Sequence, residues 1–249
     1  MKLNIVPART GVLWVRTGLQ TFAKRPLAFV SLFFFFMALV SIASQVPLVG
    51  TAIALMLLPT MTLGLMAATA EAARAGAGAK PPAAAVFLAA LQAARTGFRP
   101  MLVLGVLYAV LFMLVMGISA LADGGQFAKV YLMGGTVSRE MAEAGDFQAA
   151  LWIAMLLYLP LSLAFWHAPA LVHWHRVPPA KSLFFSFVAC FKNFGALTVF
   201  GLAWVGVFIG AGIVLSLLAS LLVAVGAMGA GDGAAAIGGA MMIAGALVM

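Results

Sequence analysis

Residues 27–46 and 48–70 are two apolar runs separated only by Pro47, and neither holds a charged side chain. About 20 apolar residues suffice to cross a bilayer as a helix. Within hydrocarbon, every backbone N–H and C=O must be satisfied inside the structure, so runs of this length have to be helical. Composition extends the argument to the whole chain: 65% of it is hydrophobic and 8% charged, against about a quarter charged in soluble domains. The expected fold is all-α, an integral membrane bundle in a single membrane domain covering residues 1–249.

Six spans are expected, over residues 27–46, 48–70, 100–122, 149–171, 196–225 and 230–249. The first exceeds the usual signal-peptide core of about 7–15 residues and reads as a retained anchor. Pro59 and Pro160 fall inside the second and fourth spans and are expected to kink them. The fifth span is long enough to tilt or emerge. The sixth is short and follows a glycine-rich turn at 226–233, so five spans is the alternative.

Charge sets the orientation. The N-terminal segment carries five basic residues (Lys2, Arg9, Arg16, Lys24 and Arg25). The second–third connection carries four (Arg74, Lys80, Arg95 and Arg99), and the fourth–fifth three (Arg176, Lys181 and Lys192). The opposite side has only Lys129 and Arg139, in a connection whose Asp123, Glu140, Glu143 and Asp146 read as a solvated face rather than a site. The positive-inside rule then puts the N-terminus, both basic connections and the C-terminus in the cytoplasm. Beside apolar spans, the net charge of +8 points to an anionic lipid surface rather than to nucleic acid.

The two basic connections resemble each other. From Pro81 the chain reads PPAAAVFLAALQAARTGFRPML, and from Pro178 it reads PPAKSLFFSFVACFKNFGALTV, so that Arg95 meets Lys192 without a gap. The N-terminal LQTFAKRPLAF is a third, offset copy. Each copy reads as an amphipathic helix with a basic residue near its end, over residues 8–24, 82–97 and 179–194, followed by a membrane hairpin. Proline suits the first helical turn and a cation the last. Such helices would lie in the interface, with Val86, Phe87 and Leu91, or Leu183, Phe184 and Phe187, in the acyl boundary.

All three histidines lie between residues 165 and 189, with two tryptophans and three prolines. His167, His173 and His175 are the only candidates for a metal or haem. Ligands sharing a helix face need spacings of three or four residues, whereas His173 and His175 point about 200° apart. The better reading is interfacial: Trp166 and Trp174 form an aromatic belt, Arg176, Lys181, His173 and His175 meet headgroups, and Pro169 ends the fourth span. Cys190 alone forms no intrachain disulfide and reads as a small apolar filler. Glu71 and Arg74, three residues apart, are expected to pair. Gly206 and Gly210 form a GxxxG pair, continued as a small-residue stripe by Ala236, Ala240 and Ala244, suited to close helix packing.

The segments FWHAPALVHWH and PPAKSLFFSFVACFKN resemble the signature of a family of uncharacterised multi-pass inner-membrane proteins of Gram-negative, mainly betaproteobacterial, bacteria. The run W-x-A-P-A-L-V falls on Trp166 and residues 168–172, and K-x-L-F-F-S on Lys181 and residues 183–186. The KRP step at Lys24, Arg25 and Pro26, the VPLVG turn at 46–50, and Pro59 followed by GLM at 64–66 extend the resemblance. His167 stands where this family is expected to carry an aromatic. The resemblance implies a six-helix inner-membrane protein and no activity.

The spans hold no buried carboxylate pair, and the chain has no Walker loop, HExxH or GxSxG. The expected function is therefore non-enzymatic, without a cofactor: a scaffold, accessory or lipid-interacting protein. Its partners are the phospholipid bilayer and another membrane protein or a second copy. The alternative is a channel or carrier for a small neutral or amphipathic solute, using the kinks at Pro59 and Pro160. An intramembrane enzyme or haem protein would have to use His167, His173 or His175.

Overall fold

A computed structural model describes residues 3–46, 49–76, 79–224 and the isolated positions 235, 238 and 239. Regular structure among these residues is entirely helical. In chain order the helices are α1 (Thr10–Lys24), α2 (Pro26–Ser44), α3 (Gly50–Arg74), α4 (Ala83–Thr96), α5 (Phe98–Asp123), α6 (Gln126–Met133), α7 (Arg139–Glu143), α8 (Gly145–Trp166), α9 (Ala168–His175), α10 (Pro179–Lys192) and α11 (Phe194–Ala224). Five stretches among the described residues are long and apolar enough to cross a membrane: α2, α3, α5, Gly145–His175, and α11 as far as Leu221. The sixth expected span and the turn before it lie outside the described residues.

Three short helices, α1, α4 and α10, coincide with the expected interfacial segments to within two residues at each end. Each is separated from the span that follows by a single residue: Arg25, Gly97 or Asn193. Pro26 occupies the first turn of α2, where its missing N–H costs nothing. Gly97 closes α4 and opens α5 at once.

The chain forms two compact units. In the unit over residues 24–192, α5 packs between α3 and α8, α4 lies on α3, and α10 lies on α8. Gly105 makes the α3–α5 approach possible, because a Cβ there would collide with the backbone carbonyl of Met56. Met101, Leu104, Phe112 and Phe165 fill the centre. Tyr108 and Tyr158 bring their hydroxyls to 3.5 Å across α5 and α8. Pro59 is buried within α3 and Pro160 exposed within α8, and both helices run through their prolines.

The other unit joins residues 2–23 to the chain from Asn193 onward. Here α1 lies against the start of α11. A Cβ on Gly11 would strike the Ala196 carbonyl, and Trp14 meets Phe200 edge-on at 6.2 Å between ring centres. The Asn193 amide accepts from Val6 N–H at 2.9 Å and donates to Asn4 O at 3.1 Å, tying the N-terminal arm down. A Cβ on Gly206 or Gly210 would meet nothing within 4 Å, so the expected GxxxG packing is not made among the described residues.

Three expectations need correction. Pro169 does not end the fourth span. The helix stops at Trp166, and Pro169 lies in the first turn of a new one, α9. A proline ring clashes with the carbonyl four residues before it, so the break falls just ahead of it, at His167. The freed His167 N–H donates to Ser186 Oγ at 2.9 Å, which itself donates to Leu163 O at 2.8 Å. Next, the acidic connection is not merely a solvated loop. Asp123 is 5% exposed and accepts from Gly125 N–H at 2.8 Å and Phe127 N–H at 2.6 Å, which starts α6 immediately after α5. Last, Val86 faces protein rather than lipid and is fully buried, whereas Leu88 and Leu91 are exposed. In α10 the buried side is Ser182, Ser186 and Cys190. Hydrogen bonding of Ser186 to the end of α8 pulls that polar edge inward and leaves Phe184 outside.

Candidate functional site

The residues singled out by sequence gather only in part. Trp166, Trp174, His175, Arg176, Lys181, Lys192 and Arg95 are all exposed, as suits side chains at a membrane boundary. His167 is partly buried at the α8–α9 break and engages its neighbours through its backbone. His173 packs edge-on to Trp174, with 5.4 Å between ring centres. No group of three His, Cys, Asp or Glu side chains is placed to hold a metal among the described residues. Arg176 takes a left-handed conformation, φ 55°, that closes α9 and directs the chain toward α10.

Not every basic residue is left to the lipid. Lys24 Nζ donates to Ala72 O at 3.0 Å and Gly76 O at 2.8 Å, covering the C-terminal carbonyls of α3. Arg25 Nε donates to Pro81 O at 2.6 Å. A cation is favourable at a helix C-terminus because the carbonyls there lack intrahelical partners. The KRP step therefore fastens the start of α2 to the end of α3 and the connection that follows it.

One feature went unnoticed in the sequence: a groove of about 270 Å³ where α3, α4 and α9 end together. Its α3 wall is Ala67, Ala70, Glu71 and Arg74, its α4 wall Ala89, Gln92, Ala93 and Thr96, and His173 and Trp174 complete it. A second cleft of about 130 Å³ shares Thr96 and His173 and adds Gly97, Pro100, Val172 and Arg176. His173 lines both. Glu71 and Arg74 form the expected pair at 3.2 Å. A signal was present in the chain: both walls follow an i, i+3, i+4, i+7 pattern of alanine and polar residues, which marks one helix face.

Cys190 is buried on α10. Burial pushes its thiol pKa up, and a weaker hydrogen bond with Ser186 acts in the opposite sense.

Over 241 residues the chain is 39% identical to a probable inner membrane protein of Burkholderia thailandensis, covering 91% of this chain and 83% of the relative. The chain belongs to that inner-membrane protein family. No family model matches it, and no solved structure does. Membership agrees with the five membrane-capable helices: this is a multi-pass transmembrane protein, and its lipid-facing side chains meet the bilayer.

Proposed function

We propose that the protein is a non-enzymatic, lipid-interacting scaffold or accessory protein of the inner membrane. It is built from three repeats of an interfacial helix and a membrane hairpin, with the N-terminus, both basic connections and the C-terminus on the cytoplasmic side. One observation carries this reading. Three helices of 15, 14 and 14 residues each hold a basic residue in the last turn, Lys24, Arg95 or Lys192, and each reaches a span after a single residue. That arrangement supports a reading in which these helix ends lie at headgroup depth while the spans enter the hydrocarbon. The repeat also implies a hairpin partner for α11, which makes six spans in all.

The carrier alternative draws less support. Pro59 is buried and Pro160 exposed, and neither lines the two cavities described above.

Reporter fusions test the topology. Alkaline phosphatase joined after residue 135 should be active, and joined after residue 178 inactive; the reverse pattern would sink the orientation. Charge reversal tests the role. Arg95→Glu with Lys192→Glu should lower the yield of membrane-integrated protein or detach a co-purifying partner. Wild-type integration and wild-type co-purification together would refute the interfacial-helix reading.

A further inference from the structure

We propose that the groove between α3, α4 and α9 binds the headgroup of an ethanolamine phospholipid, its ammonium at Glu71 and its phosphate at Arg176, His173 and Arg74. The proposal rests on the lipid-interacting reading above and names the lipid class and the place.

Glu71 supplies the first argument. The other five acids of the chain are Asp123, Glu140, Glu143, Asp146 and Asp232, so Glu71 is the one carboxylate among the basic connections. It lines the groove and is engaged by Arg74 through a single contact, Nη1 to Oε2. A carboxylate can accept at about four lone-pair sites, so capacity remains for a second cation. A groove meant only for anionic lipid would gain nothing from this acid.

Helix ends supply the second argument. α3 finishes at Arg74, α4 at Thr96 and α9 at His175, and all three contribute their last turns to the groove and the adjoining cleft. Helix C-termini carry partial negative charge, which favours an ammonium there and means that side chains must hold any phosphate. Arg74 and His173 line the groove, and Arg176 lines the cleft that continues from His173. An ammonium site and a phosphate site therefore lie side by side, as in a phosphoethanolamine headgroup.

Shape supplies the third. Both long walls include alanines, which leave room that larger apolar residues would fill. The volume, about 270 Å³, falls just below the roughly 300–1,000 Å³ typical of ligand pockets, so it suits a headgroup better than a whole lipid. Trp174 lines the groove and is exposed, and tryptophan favours the membrane–water interface.

The test uses the full chain in nanodiscs made from equal amounts of ethanolamine and glycerol phospholipids, with retained lipid read by native mass spectrometry. The wild type should keep the ethanolamine lipid in preference. Glu71→Gln should lower that preference about ten-fold, the effect of one charge-assisted hydrogen bond. Ala89→Phe, which fills the groove without altering a charge, should lower retention of both lipids while elution volume and helicity stay unchanged. Arg95→Glu with Lys192→Glu should leave the preference intact, even where it disturbs membrane integration. Equal retention of the two lipids by the wild type, or an undiminished preference in Glu71→Gln, would overturn the headgroup site and leave the interfacial reading standing. Free phosphoethanolamine binding as tightly as the lipid would overturn it too, in favour of a soluble ligand.

Discussion

Among the described residues, α5 and α11 are both strongly apolar but very differently surrounded. Their mean hydropathies are 2.7 and 2.3, yet 39% of the first and 11% of the second is buried among the described residues. What separates them is detail on one face. α5 carries Gly105 where α3 crosses, Tyr108 and Phe112 toward α8, and Asp123 at its end to launch α6. α11 carries Gly206 and Gly210, where an added Cβ would meet nothing within 4 Å among the described residues. Lipid rewards apolar character on every side of a helix equally, so hydropathy reports the solvent. Helix association there depends on close packing and hydrogen bonds, and only residues that permit those reveal which face meets protein.

Paired substitutions can break this contrast. Gly105→Ala drives a Cβ into the Met56 carbonyl and should destabilise by about 3 kcal/mol or more, at or above the usual range for overpacking. Loss of a monodisperse peak in size-exclusion chromatography would report it; a normal peak would mean that α3 and α5 are not in backbone contact. Ser186→Ala removes the acceptor of His167 N–H and should cost about 1–3 kcal/mol, read as a lower unfolding midpoint in detergent. Asp123→Ala uncaps α6 and should cost about 1–2 kcal/mol, with protease cleavage appearing between α5 and α7. Gly206→Ala should be neutral or stabilising by up to about 1 kcal/mol, since alanine is the better helix former. A destabilised Gly206→Ala would place α11 in a tight interface and erase the contrast.

The smallest effect concerns Cys190, on the well-packed side. Burial raises its thiol pKa in the folded state, so the neutral form is favoured. The stability this contributes is complete below the unfolded thiol's pKa and is lost as pH rises through the higher folded value. Maleimide labelling of native protein should therefore be slow at mildly alkaline pH and fast after denaturation in SDS. Equal rates would show that Cys190 is open to water.

Much of the architecture could be read from the chain because its signals are local. Pro26 and Pro82 start helices, Lys24, Arg95 and Lys192 mark ends, and long uncharged runs mark spans; each acts through its own helix. The missed features are tertiary. Pro169 opens a helix rather than ending one because its ring acts on residues behind it and Ser186, nineteen positions later, accepts the freed N–H. Val86 is buried against protein, and an amphipathic face alone does not distinguish lipid from a neighbouring helix as its cover. The groove is a tertiary feature as well: the alanines of α3 and α4 become walls only when the two helices lie together.

The break at His167 also has a consequence in length. Gly145–His175 and α11 both comprise 31 residues, about 46 Å as straight helices at ~1.5 Å per residue. A bilayer core is only about 30 Å thick. The break leaves α8 with 22 residues, about 33 Å, a near match to that core. The eight residues of α9 are thereby released from the need to cross. α11 has no such break, so about 16 Å of it must be absorbed by tilt or project beyond the hydrocarbon. A change in bilayer thickness would therefore be felt by α11 more than by α8.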